Sequence, residues 1–264
     1  MTNYTPNPVA LDFDEAGSGP PLLILHGLLG QARNWASQMK LFARDHRVLA
    51  VDLRNHGHSP WAEGMTYEAM ADDIALLAER VGPPVRIVGH SMGGKVAMVT
   101  ALKFPELVEK AVVVDISPVR HEHTPFYGYL EAMLALDLSS ISRRGQADKL
   151  LADAIPSDAE RAFLLLNLAA EAGQGLRWRP NLRELYDHLA DILDWPDHLF
   201  EYQNREPTLF VAGGNSPYIQ ESHKPAIARL FPNAEYATIP GAGHWVHADQ
   251  PKAFHETVSA FLNR

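Results

Sequence analysis

The chain has 264 residues, 46% hydrophobic and 21% charged, with no cysteine. That length suits one large domain, or one domain carrying an insertion, and its apolar content excludes disorder as a whole-chain state. The missing cysteine excludes a disulfide scaffold, a thiolate metal site and a cysteine nucleophile, and the formal charge of −9 argues against nucleic-acid partners.

The first apolar run, residues 22–25, reads as a strand ending at His26-Gly27. A helical pattern over 34–44 follows, then a strand over 47–51 that ends at Asp52. Residues 66–81 form a helix whose first residue, Thr66, suits a cap. Gly82-Pro83-Pro84 stops it. Strands over 85–88 and 111–114 flank a helix over 92–104, and after residue 205 come strands over 208–212 and 235–239 with helices over 222–231 and 251–262. Short, continuous apolar strands alternating with helices are the pattern of a parallel sheet covered on both faces. The fold class is therefore α/β, mostly parallel and doubly wound.

The alternation stops between Pro118 and Arg205. Four short helices, over 125–137, 146–154, 158–170 and 180–193, are predicted there, with no strand. Asp158 is read as the cap of the third and Pro180 as the start of the fourth. Residues 119–204 are expected to form a helical lid on a core built from 1–118 and 205–264. No apolar run reaches the roughly 20 residues a membrane helix needs. Residues 1–8 lack the basic start and apolar stretch of a secretion signal. The expectation is a soluble, cytosolic protein without a membrane partner.

Gly89-His90-Ser91-Met92-Gly93 matches G-x-S-x-G, with a strand before it and a helix after it. That context is a nucleophile elbow: the glycines let strand and helix approach closely, and the Ser91 hydroxyl stands exposed where the chain reverses. A serine needs a base, which in this fold comes late in the chain. His244, in Gly241-Ala242-Gly243-His244-Trp245 after the last strand, has the position and the glycine-lined loop.

The acid is expected after the strand over 208–212, but Gly213-Gly214-Asn215-Ser216-Pro217 has none. Asp115, ending the strand beside the elbow strand, is the candidate, with Glu221 as the alternative. Ser216 is read as a fourth member beside His244. The acid's task is to fix the imidazole tautomer and stabilise the imidazolium. An oxyanion hole of two amides, Leu28 after His26-Gly27 and Met92 after the nucleophile, completes the set. Leu29 and Trp245 are expected at the substrate, and Phe126, Tyr129, Trp178 and Trp195 are further candidates for an acyl pocket.

These motifs, with Asp52-Leu53-Arg54-Asn55-His56-Gly57-His58-Ser59 between them, resemble the α/β-hydrolase superfamily along the whole chain. Arg54-Asn55-His56-Gly57, Ser91-Met92-Gly93-Gly94-Lys95 and Asp115-Ile116-Ser117-Pro118 narrow the resemblance to YbfF-type carboxylesterases. It implies Ser91, Asp115 and His244 as a triad, with a serine at position 216. The expected activity is hydrolysis of a small-molecule ester or acyl thioester, without metal or organic cofactor. A zinc hydrolase using His56-Gly57-His58 or His121-Glu122-His123 is the rival chemistry. A ligand receptor, or a lyase or haloperoxidase-like enzyme on the same elbow, is the rival use of the fold.

Overall fold

A computed structural model of the chain describes residues 7–121, 124–171 and 175–264. In chain order the strands are β1 (Phe13–Ala16), β2 (Pro21–Leu25), β3 (Arg47–Val51), β4 (Val85–His90), β5 (Val108–Val114), β6 (Leu168–Glu171), β7 (Gly175–Trp178), β8 (Thr208–Gly213) and β9 (Glu235–Ile239). The helices are α1 (Ala36–Phe42), α2 (Tyr67–Val81), α3 (Met92–Lys103), α4 (Phe126–Ala135), α5 (Arg144–Leu151), α6 (Asp158–Leu165), α7 (Leu182–Asp187), α8 (Leu189–Leu193), α9 (Lys224–Leu230), α10 (Val246–Asp249) and α11 (Pro251–Leu262).

Seven strands form one sheet in the order β1-β3-β2-β4-β5-β8-β9. Every neighbouring pair is parallel except β1 with β3. Successive side chains point to opposite faces of a strand. Leu23 and Leu25 of β2 accordingly join a core with α2, α3 and the inserted helices. Leu22 and Ile24 join a second core with Trp35, Phe42 of α1 and Phe254 of α11. Both faces of the central strands are covered, which is why residues 22–25, 48–51 and 111–114 are unbroken apolar runs. β1 escaped prediction because it is an antiparallel edge strand whose Phe-Asp-Glu-Ala sequence has no apolar run.

The insertion differs from the all-helical reading. α6 ends at Leu165, and residues 168–170, expected to continue it, pair as strand β6 with β7 in an antiparallel hairpin. Nothing in Leu168-Ala169-Ala170 favours a strand locally, so tertiary contact decides. Asn167 at the break is buried, and its amide donates to the Leu29 carbonyl at 2.6 Å across the molecule. A continued helix would carry that amide away. The cap of α6 is Ser157, whose Oγ accepts from the Glu160 N–H, and Asp158 takes the first helical position. The pattern over 180–193 divides at His188 into α7 and α8, and the first starts at Leu182, capped by Asn181, rather than at Pro180. Thr66 caps α2 as expected. No helix among the described residues is long and apolar enough to cross a membrane.

Candidate active site

The elbow is the turn between β4 and α3. Ser91 has φ 52° and ψ −119°, backbone rarely adopted by a non-glycine residue and costing about 1–3 kcal/mol. The glycines around it are steric requirements. A Cβ on Gly89 would lie 2.1 Å from the Gly93 carbonyl oxygen, and one on Gly93 would lie 2.6 Å from the oxygens of Leu25 and His26. The Ser91 N–H donates to Val114 at 3.0 Å, tying the turn to the end of β5.

That tie also places Asp115, the first residue beyond β5. Its backbone is left-handed, φ 51°, and its N–H donates to Val211 at 2.8 Å. The side chain is fully buried, so its charge requires partners. It has three. Oδ1 accepts from the Gly213 N–H at 3.0 Å, and Oδ2 accepts from His244 Nδ1 at 2.7 Å and from the Ser216 hydroxyl. With Nδ1 donating, His244 Nε2 is left as an acceptor, and it lies 3.1 Å from Ser91 Oγ. Ser91, Asp115, His244 and Ser216 therefore come together in one hydrogen-bonded chain. Glu221 lies outside it, 87% exposed and paired with Lys224.

Several groups that position His244 were not singled out from sequence. Tyr218 stacks on its ring, with centroids 4.1 Å apart. His90, inside the elbow motif, donates from Nε2 to the His244 carbonyl at 2.8 Å, and burial holds its ring well below the usual histidine range. Gly213 lets β8 approach the histidine loop, since a Cβ there would lie 2.2 Å from the Gly243 oxygen. His90 and Gly213 stand in or beside recognisable motifs. Tyr218 has no local signal, because a turn brings it back onto the ring.

The loop carrying Leu28 is held by two buried histidines. His26 Nδ1 donates to the Gly27 carbonyl and its Nε2 accepts from the Leu53 N–H. His56 Nδ1 donates to the Arg54 carbonyl and its Nε2 accepts from the Leu29 N–H. Burial pushes the two rings down to about 4 and about 3, so both are neutral. Asp52 adds a bond from the Ala32 N–H at 2.6 Å. Both nitrogens of His56 are thereby occupied in bracing, and His58 contacts Arg179 on the surface. Glu122 and His123 of the other histidine pair lie outside the described residues.

Leu29 departs from expectation. It is fully buried, has φ 59°, and lines neither cavity at the site. Its polar backbone is what matters, gripped by His56 on one side and Asn167 on the other. Leu28, unlike Leu29, lines both cavities. Among the described residues, neither the Leu28 nor the Met92 N–H donates to a protein acceptor.

Ser91 sits between two cavities. One, of about 350 Å³, is walled by His244, Trp245, Phe126, Tyr129 and Phe163. The other, of about 30 Å³, is walled by Met92, Lys95, Ile116, Tyr67 and Ile192. Trp178 and Trp195 line neither and are buried in the core that the inserted helices share with α2 and α3. Lys95 is almost fully buried, and its Nζ donates to the carbonyls of Val119, Leu193 and Asp194 at 3.0, 3.2 and 2.7 Å. Burial pushes this ammonium down to about 7.

The fold and the sequence have counterparts in known proteins. The solved structure titled marine microorganism esterase superposes with a TM-score of 0.91 at 35% identity, covering 96% of this chain and 99% of that one. The sn-1-specific diacylglycerol lipase ABHD11 of Mus musculus is 44% identical over 92% of this chain and 81% of its own. Esterase YbfF of Escherichia coli is 33% identical over 92% and 93%. Residues 20–251 match the family model described as alpha/beta hydrolase fold, and the chain belongs to that family.

Proposed function

We propose that this chain is a serine hydrolase that cleaves carboxylic esters or thioesters of small to medium acyl chains through an acyl-enzyme. The observation that carries the reading is the unbroken chain Asp115–His244–Ser91 opening on an apolar-walled cavity of about 350 Å³, a volume typical of small-molecule sites. Relatives named esterase and lipase support an ester bond as the target.

In the proposed reaction, His244 Nε2 takes the Ser91 proton as Oγ attacks the substrate carbonyl. The Leu28 and Met92 N–H groups hold the oxygen that becomes negative, a service for which one donor is worth about 10²–10³ in rate. Collapse breaks the bond to the leaving alcohol or thiol, which receives its proton from His244. Water, deprotonated by the same nitrogen, attacks the acyl-enzyme and frees the acid and Ser91. Side chains, amides and water supply every step without a metal or organic cofactor. The described residues of 119–204 form the lid, with Phe126, Tyr129 and Phe163 facing the cavity.

The test is reaction with 4-nitrophenyl esters and with a serine-directed fluorophosphonate. Wild type turns over and takes one label at Ser91; Ser91→Ala does neither while keeping its melting temperature. Undiminished turnover by Ser91→Ala overturns the proposal.

A further inference from the structure

We infer that the two cavities divide the substrate at the scissile bond, the small one receiving the acyl group and the large one the leaving alcohol or thiol, so that the substrates are esters of very short acids with bulky, apolar alcohols or thiols. The inference rests on the serine-hydrolase reading above and adds which side of the ester is large.

The assignment follows from where protons must go. The leaving group is protonated by His244 Nε2, so its oxygen or sulfur must lie on the histidine's side of Ser91. His244, Gly243 and Trp245 line only the large cavity. The acyl substituent leaves the carbonyl carbon in another direction, with the carbonyl oxygen directed at the Leu28 and Met92 amides. Met92 lines only the small cavity, and Leu28, Ser91, Phe126 and Tyr218 line both. The reacting carbon thus stands at the junction, with the small cavity behind it.

Size then sets the substrate class. A cavity of about 30 Å³ holds one or two water-sized groups, enough for the methyl of an acetyl group or the ethyl of a propanoyl group. A longer chain outgrows that space. The segments around it are tied together. Lys95 Nζ holds the carbonyls of Leu193 and Asp194 and that of Val119, fastening two distant segments of the insertion to α3. The Tyr67 hydroxyl also donates to the Ile192 carbonyl. The large cavity, with more than ten times the volume and aromatic walls from Phe126, Tyr129, Phe163 and Trp245, suits a long or ring-bearing alcohol.

The experiment measures kcat/KM of the wild-type protein on two ester series. In the first, the alcohol is 4-nitrophenol and the acid runs from acetic through butanoic and hexanoic to octanoic. In the second, the acid is acetic and the alcohol runs from ethanol through hexanol to dodecanol, read by acid release. The expected result is a fall of about tenfold or more from acetate to hexanoate, the scale on which apolar pockets reject extra methylenes, and a rise along the alcohol series. Ile192→Ala, or Leu193→Ala should the first fold poorly, shifts the optimum of the acid series to longer chains. A wild-type optimum at hexanoate or octanoate, or indifference to acid length, overturns the division of the site while leaving the hydrolase reading intact. Failure of every ester together with failure of the fluorophosphonate to label Ser91 overturns the hydrolase reading, and the division with it.

Discussion

Replacing Asp115 by asparagine preserves shape and removes one charge, and the structure dictates how the neighbours respond. The wild-type carboxylate accepts three hydrogen bonds, from His244 Nδ1 at 2.7 Å, from the Gly213 N–H at 3.0 Å and from the Ser216 hydroxyl. The Gly213 donor is backbone and cannot turn around, so the asparagine carbonyl oxygen stays with it. The amide nitrogen then occupies the position facing His244 and presents hydrogens where the carboxylate presented lone pairs. The imidazole must accept at Nδ1, which places its own hydrogen on Nε2, 3.1 Å from Ser91 Oγ. A protonated Nε2 cannot take the serine proton. The expected loss in kcat is about 10⁴-fold, or about 5.4 kcal/mol of transition-state stabilisation. Ser216→Ala leaves the charge and the tautomer in place and deletes one of three donors, so its loss is about tenfold, within the value of one hydrogen bond to a charged group. Glu221→Gln, exposed and paired with Lys224, leaves kcat unchanged. The assay is 4-nitrophenol release from an acetate ester, with thermal melts confirming that each variant folds. A loss below tenfold in Asp115→Asn, or a larger loss in Glu221→Gln, refutes the reasoning.

Three further outcomes follow from the packing. Arg54 and Asp73 are fully buried and paired through two bonds of 2.6 and 2.7 Å; Arg54→Met strands the carboxylate and lowers unfolding free energy by about 3–5 kcal/mol. Urea titration is the measurement, and the double variant Arg54→Met/Asp73→Leu should recover most of the loss. His26 and His56, held at about 4 and about 3, bind protons more readily unfolded, where histidine titrates near 6.5. Their contribution is complete above about pH 6.5 and declines as the pH falls toward 4 and 3, by about 1.4 kcal/mol per pH unit for each ring; a urea midpoint that stays constant from pH 7 to 4.5 contradicts this. Gly89→Ala places a methyl 2.1 Å from the Gly93 oxygen, so strand and helix must part at the elbow. The expected result is loss of Ser91 labelling together with a lowered melting temperature; normal labelling contradicts it.

Much of this protein is written in local pattern. The inner strands β2 to β5 and β8 carry short apolar runs because they are packed on both faces, and burial on two faces leaves little room for polar alternation. The elbow motif is equally local: Gly89, Ser91 and Gly93 lie within five residues, and the clash at Gly89 arises within that one turn, although the clash at Gly93 is with Leu25 and His26 at the end of β2. Asp115 was legible as a charge ending an apolar strand, which required a partner. What tertiary structure decided lies between segments distant in the chain. Ser91 meets His244 across 153 positions and Asp115 meets Ser216 across 101, and the distances depend on the parallel register of β4, β5 and β8. The hairpin of the insertion, the inward turn of Leu29, the bracing by His26 and His56 and the unequal cavities beside Ser91 belong to the same class. Each is set by what packs across from it, and a backbone amide or a leucine carries no mark in the linear sequence of whether it will face a neighbour or a substrate.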